Sequence, residues 1–294
     1  MIRGSIVLLL LFLNIAFWGT PVILLGVIRL LLRGEPHRRI VLLLAELADR
    51  YVGGNDLIYR ALLPVIWDVE MPADLDLRGH YLIFSNHVSW ADILVLFRVF
   101  HRRVALTRFF VKQQLIWLPF VGQACWALDF PFMKRYTAAY LARHPEDRGK
   151  DLETTRRACQ RYRTVPVAIL NFLEGTRFTP EKHEEQESPY QHLLRPRAGG
   201  AAFVLASLGD QLDGVIDVTI AYQGQNVTFC DFLSGRIPRV TVRSRKLEVP
   251  EEFLTPDVID PLRRAALKTF IEGVWAEKDA LLQQLNKKDR SPEP

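Results

Sequence analysis

The chemistry of this chain is read first from a histidine with an aspartate five positions later. His87 and Asp92 stand in Asn86-His87-Val88-Ser89-Trp90-Ala91-Asp92, directly after an apolar run. Histidine titrates near neutral pH and takes a proton from a hydroxyl, while a carboxylate on its other ring nitrogen fixes the tautomer and stabilises the imidazolium. The spacing alone carries little weight. With 7 histidines and 33 acids in 294 residues, about one such pair arises by chance. In one straight helix the two side chains would point ~140° apart. They meet only if His87 lies in a strand-to-helix turn and Asp92 in the first helical turns, with Asn86 or Ser89 capping the helix. The same pattern also fits a buried histidine bonded to a helix-capping acid. No serine or cysteine stands as an evident covalent nucleophile, so direct attack by a substrate hydroxyl is the simpler scheme.

A second block, Phe172-Leu173-Glu174-Gly175-Thr176-Arg177, also follows a strand-like run. Gly175 lets the backbone turn or approach a ligand closely. The Arg177 fork suits phosphate oxygens, and the Thr176 hydroxyl and exposed backbone N–H groups add donors. A surface turn with a Glu174–Arg177 ion pair fits equally well. A third stretch runs from Lys112 to Arg135, where apolar and aromatic residues are bracketed by Lys112 and by Lys134-Arg135. It reads as a greasy wall with cationic ends, suited to an acyl chain joined to a phosphate. Ordinary core with solvated charges gives the same pattern.

These blocks need elements to hold them. Strand character marks His80–Ser85, Val104–Thr107, Val165–Phe172, Val215–Ala221 and Arg239–Arg243. Helical periodicity marks Asp92–Phe100, Asp151–Tyr162, Gly200–Leu208 and Asp260–Leu285, the last with an aspartate N-cap and a proline in its first turn. The alternation predicts an α/β domain with a largely buried sheet. Glu181–Pro196 reads as a long polar loop, and the tail from Lys287 as frayed.

At the N-terminus, Ile6–Ile28 is a run of 23 residues without a charge, long enough to cross a bilayer. Arg3 precedes it and Arg29, Arg33, Arg38 and Arg39 follow, which places the remaining chain in the cytoplasm. Gly19-Thr20-Pro21 predicts a kink or break there, so two short arms on one leaflet stand as the alternative to a span. The apolar stretch Ile40–Leu47 is too short to span and reads as an amphipathic helix. A chain 49% hydrophobic and 24% charged is neither disordered nor polytopic. Three scattered cysteines exclude a disulfide framework and a zinc site. The net charge of +5 suits an anionic partner, and no basic tract or reader motif points to nucleic acid.

Taken in order, the three blocks resemble the glycerolipid acyltransferase family, especially the bacterial 1-acylglycerol-3-phosphate (lysophosphatidic acid) acyltransferases of the inner membrane. The resemblance covers roughly Tyr81 to Tyr222 and rests on Asn86-His87…Asp92, Phe132-Met133-Lys134-Arg135 and Glu174-Gly175-Thr176-Arg177. It implies an α/β acyltransferase fold with a mixed sheet flanked by helices. It divides the chain into a membrane-anchoring region (1–55), an acyltransferase domain (56–250) and a C-terminal helix and tail (251–294). It further implies acyl transfer from a thioester, acyl carrier protein or coenzyme A, to the sn-2 hydroxyl of lysophosphatidic acid. His87 is then the base and Asp92 its partner, with Lys112, Arg135, Glu174, Gly175, Thr176 and Arg177 at the acceptor and phosphate site. No metal or bound cofactor is implied. Asp129 stands where many members have glycine, and Val215-Ile216-Asp217-Val218-Thr219 lacks the usual proline, as in the eukaryotic lysophospholipid and lysocardiolipin branch. Both departures bear on the acceptor, for which another lysophospholipid is the alternative. A hydrolase and a non-catalytic membrane scaffold are the competing classes.

Overall fold

The computed structural model describes residues 2–134, 140, 143–144, 150–224 and 227–290. Six strands make one sheet in the order β1-β8-β7-β2-β6-β3. They are β1 (Ile66–Glu70), β2 (His80–Ser85), β3 (Thr107–Phe109), β6 (Val167–Phe172), β7 (Gly214–Tyr222) and β8 (Arg239–Leu247). All neighbours are parallel except β7 and β8. Two-residue strands β4 (Val111–Lys112) and β5 (Phe132–Met133) pair separately. The fold is the expected α/β class with a mixed, buried sheet.

The central strands are apolar on both faces, as a doubly covered sheet requires. Leu82, Phe84, Ile169 and Val215 face one core, under helices α5 (Lys150–Tyr162), α7 (Ala198–Leu208) and α9 (Pro261–Arg290). Tyr81, Ile83, Leu170, Ile216 and Val218 face the other, under α3 (Ala91–Phe100) and the end of α2 (Glu35–Leu62). Short helices α4 (Val121–Ala127), α6 (Pro180–Glu185) and α8 (Phe229–Leu233) complete the set among the described residues. The parallel strands β2, β6 and β7 end side by side. Their carboxyl ends are where an open α/β sheet offers a binding crevice.

The first helix, α1 (Ile2–Arg29), is one helix through Pro21. The expected break there does not occur. The Thr20 hydroxyl donates to the Ala16 carbonyl at 2.7 Å, and packing along α2 and α4 holds the segment together. The chain turns instead at residues 30–34, so Ile40–Leu47 belongs to the 28-residue helix α2. The boundary expected at 55/56 falls inside α2, where Asn55 and Tyr59 are buried. One face of α1 is buried on the domain at Gly4, Val7, Gly19, Val22, Gly26 and Arg29. A methyl group at Gly26 would overlap Ala127 of α4. Arg29 forks onto Asp129 at 2.5 and 3.1 Å. Asp129 sits in the left-handed region with φ 61°, which aspartate tolerates. Its carboxylate also meets Arg161 at 3.5 Å. These ion pairs give the departure from glycine a structural reason.

The other corrections are local. The strand expected at Val104–Thr107 lies at Thr107–Phe109, because residues 101–105 form turns. The C-terminal helix packs on the domain, with Leu267, Ile271 and Trp275 fully buried in the first core. Arg135 lies outside the described residues.

Candidate active site

His87 lies in the five-residue link between β2 and α3, and Asp92 lies in the first turn of α3. The His87 Nδ1 to Asp92 Oδ2 distance is 2.8 Å. Asp92 is fully buried, and it also draws the N–H groups of Val88 (2.6 Å) and Ser89 (2.9 Å) onto Oδ2. An acid reaching back to free N–H groups at a helix start is favoured there, and this local geometry is what turns a spacing of five into a contact. The Tyr222 hydroxyl, from the end of β7, donates to Oδ1 at 2.6 Å. Burial and the neighbouring Asp92 push the Tyr222 hydroxyl far above its ordinary range, so it stays a donor. Asp92 accepts from all three of these donors, and Nδ1–H donates to it as well. The tautomer leaves the lone pair on Nε2, which makes no hydrogen bond among the described residues. Phe172 stacks on the imidazole, centroids 4.0 Å apart and planes within 17°.

The backbone of the turn is held as tightly as the ring. Asn86 does not cap the helix. Its side chain bridges to β7, donating to the Ile220 carbonyl and accepting from the Ile220 N–H, both at 2.9 Å. Glu174, just past β6, is fully buried. Its Oε1 accepts the His87 N–H at 2.7 Å and its Oε2 accepts the Leu194 N–H at 3.0 Å. Burial pushes the carboxyl up to about 8, against the lowering effect of those two N–H groups. Both oxygens accept backbone N–H groups, and among the described residues no ion pair joins Glu174 to Arg177.

The other expected residues divide. Gly175 takes φ 68°, which glycine adopts without strain, to carry the chain back under the site. The Thr176 hydroxyl accepts from Lys182 Nζ at 2.8 Å. Arg177 is exposed, with its guanidinium 5.0 Å from the Trp90 ring centre. Of the expected acceptor residues that are described, Arg177 alone lines the cleft beside the dyad. Lys112 is exposed at the end of β4 and does not line it. Lys182 does, and it was hidden in the stretch read as a polar loop. Among the described residues, no cluster of three or more His, Cys, Asp or Glu is placed to hold a metal.

The cleft has a volume of about 840 Å³, and Asn86, Val88, Ser89 and Tyr222 line it on either side of His87. A second cavity, about 530 Å³ and almost wholly apolar, lies between α1, α2, α3 and α4. Leu115, Leu118, Val121, Ala124, Leu128 and Phe130 contribute to it, so the apolar residues between Lys112 and Arg135 form a wall. Trp90 and Phe229 line both spaces. The cleft and the apolar cavity therefore adjoin at Trp90, three residues after His87.

Tyr222→Phe tests the support of the dyad. It leaves one buried Asp92 oxygen without its donor and is expected to cost about 1–3 kcal/mol. Urea unfolding reads that loss, and kcat falls while the acceptor KM holds.

The geometry is that of an α/β fold with a buried sheet and a hydrogen-bonded histidine–aspartate pair just past its central strand. The sequence profile of the family described as Acyltransferase matches residues 67–223, more than half of the chain. The chain belongs to this family, among its glycerolipid acyltransferases. It is 25% identical over 227 residues to 1-acyl-sn-glycerol-3-phosphate acyltransferase 3 of Arabidopsis thaliana, covering 72% of this chain and 55% of that protein. It is 26% identical over 226 residues to the human 1-acyl-sn-glycerol-3-phosphate acyltransferase gamma, covering 73% and 56%. It is 28% identical over 217 residues to lysocardiolipin acyltransferase 1 of Danio rerio, covering 69% and 52%. The matched region thus spans about half the length of these relatives. The crystal structure of the 1-acyl-sn-glycerophosphate (LPA) acyltransferase PlsC from Thermotoga maritima superposes with a TM-score of 0.49 at 16% identity, covering 95% of this chain and 98% of that one.

Proposed function

We propose that the protein transfers a fatty acyl group from a thioester, carried on acyl carrier protein or coenzyme A, to the sn-2 hydroxyl of lysophosphatidic acid. The observation that carries this reading is the junction itself. His87 stands between Asn86 and Val88, which line the cleft edged by Arg177 and Lys182, and Trp90, three residues on, lines both that cleft and the apolar cavity. Arg177 and Lys182 hold the acceptor phosphate and the apolar cavity holds an acyl chain. His87 Nε2 takes the hydroxyl proton as the alkoxide oxygen attacks the thioester carbonyl. The C–S bond then breaks, and the thiolate leaves with that proton. Asp92 steadies the imidazolium meanwhile. Among the described residues the His87 side chain has Asp92 as its hydrogen-bond partner and no serine or cysteine. Burial pushes the Cys125 and Cys159 thiols up to about 12. Direct transfer therefore fits better than a covalent acyl-enzyme.

Alpha-1 gives the enzyme its place on a membrane. By length and composition it qualifies to cross one. Yet its inner face is fixed to the domain from Gly4, beside Ser234, to Arg29, on Asp129. A helix of 28 residues bound along its length cannot cross a bilayer without drawing the domain in. Its outer face carries Leu9, Phe12, Leu13 and Phe17, and the exposed Trp117 and Leu118 add to the apolar surface. This supports an in-plane anchor in one leaflet, with the basic residues after α1 at the headgroups of the cytoplasmic side. In a bacterium that is the inner membrane.

The test is thioester-dependent acylation on membranes with labelled lysophosphatidic acid, offering acyl carrier protein and coenzyme A donors in separate arms. Free fatty acid released without a lysolipid would mark a hydrolase instead. Arg177→Ala is expected to raise the acceptor KM roughly tenfold or more, as losing a charge-assisted hydrogen bond implies. An unchanged KM removes Arg177 from the phosphate site. The Asp217-Val218-Thr219 block and the similarity to a lysocardiolipin acyltransferase favour a second reading, the same chemistry on a lysophospholipid with a larger headgroup. An acceptor panel with one donor separates the two.

A further inference from the structure

The region matched by the family ends at residue 223, yet α9, some forty residues later, is tied into the active site. Trp275 Nε1 donates to the Leu194 carbonyl at 3.0 Å. Lys278 is 1% exposed. Its Nζ donates to the Val218 carbonyl at 2.5 Å and the Thr219 hydroxyl at 3.2 Å, and pairs with Asp217 at 2.7 Å. These bonds fix the helix against β7. The next residue, Asp279, points about 100° away around the helix, toward the loop before α7. Its two carboxylate oxygens accept the N–H groups of Gln191 (2.8 Å) and His192 (2.7 Å). Two residues on, the Leu194 N–H bonds Glu174, and the other Glu174 oxygen holds the His87 N–H. His192, Leu282 and Asn286 also line the polar cleft.

We propose that Asp279 is a positioning residue for the His87 base, acting through the 191–194 backbone and Glu174. The assignment of His87 as base rests on the acyl-transfer reading; the mechanical link from Asp279 to His87 does not. The chain of bonds is short, each one ends on a backbone N–H, and Trp275 and Gln283 of the same helix add bonds to Leu194 and Gln191. An acid that merely stabilised α9 would have no reason to grip two consecutive amides of the strip that seats Glu174.

Two variants of the full chain, purified in detergent, test it. In Asp279→Ala both amide bonds go. In Asp279→Asn the side-chain oxygen still accepts one N–H. Asp279→Ala is expected to lower kcat roughly 10- to 100-fold, the scale on which small misplacements of a reacting group act, with the acceptor KM within a few-fold. Asp279→Asn restores most of the rate. Arg163→Ala, which removes a surface ion pair with Asp210 away from the cleft, serves as the control: it lowers stability and leaves kcat per folded molecule unchanged. Amide hydrogen exchange supplies a readout that needs no substrate. Exchange is expected to quicken at least tenfold in Asp279→Ala, both at residues 191–194 and at the His87 amide. The proposal is overturned if kcat per folded molecule stays within twofold of wild type, or if faster exchange stops at residue 194. Should the wild-type chain transfer no acyl group at all, the functional reading fails, and the exchange comparison still decides whether Asp279 governs His87.

Discussion

Replacing His87 with alanine is expected to lower acyl transfer by about 10²–10⁴-fold, the usual worth of a general base, while the chain stays folded and membrane-bound. The imidazole is only 13% exposed, yet its loss leaves the surrounding supports intact. Asp92 keeps its bonds from Val88, Ser89 and Tyr222, and Glu174 keeps the residue 87 amide. The effect should therefore fall on kcat, with the acceptor KM nearly constant, because Arg177 and Lys182, proposed to hold the phosphate, follow β6 and not β2. Initial rates with purified wild-type and variant protein decide the matter. Turnover within a few-fold of wild type would remove His87 from the chemistry.

Glu174→Ala should be the most destabilising of the single changes considered. It strands two buried N–H groups, those of His87 and Leu194, at about 1–3 kcal/mol each. The loss depends on pH, with a definite sign. The carboxyl titrates at 4.5 in a free chain and is pushed up to about 8 in the folded one. Between those values the folded state keeps a proton that the unfolded state gives up, so the stability Glu174 contributes drains away as pH rises. It is full below about pH 4.5 and lost by passage through 8. Urea unfolding of wild type and variant should thus show a larger difference at pH 5 than at pH 8.5. A difference that grows with pH would contradict a carboxyl held neutral by burial.

The dyad was legible because its partners are five residues apart and their meeting is decided by one turn. Tyr222 was not, since the donor to Asp92 arrives from β7, 130 residues on, and only the strand order β7-β2-β6 brings it there. Asn86 read as a helix cap because an asparagine before a helix usually is one; its bridge to Ile220 depends on the same strand neighbours. The long strands β2, β6 and β7 announced themselves by unbroken apolar runs. Beta-1 did not: Asp68 and Glu70 interrupt it, and at the sheet edge the strand is only partly covered. The residues alone read Glu174 as one half of a surface ion pair with Arg177, because a charged residue beside glycine and arginine normally faces water. Its burial follows from the Leu194 backbone crossing above it. The role of Lys182 and Asp279 lies in tertiary packing, where neither spacing nor periodicity leaves a mark.

The seam between α1 and the domain, closed at its far end by the Arg29–Asp129 fork, has a bearing on how lipids arrive. With α1 lying in the leaflet as proposed, this packed seam would hold the cleft at a constant depth and tilt relative to the headgroups instead of letting it swing on a tether. On the proposed acyl-transfer reading, a lysolipid would slide in sideways from the leaflet without being lifted into water, and its product would depart by the same route.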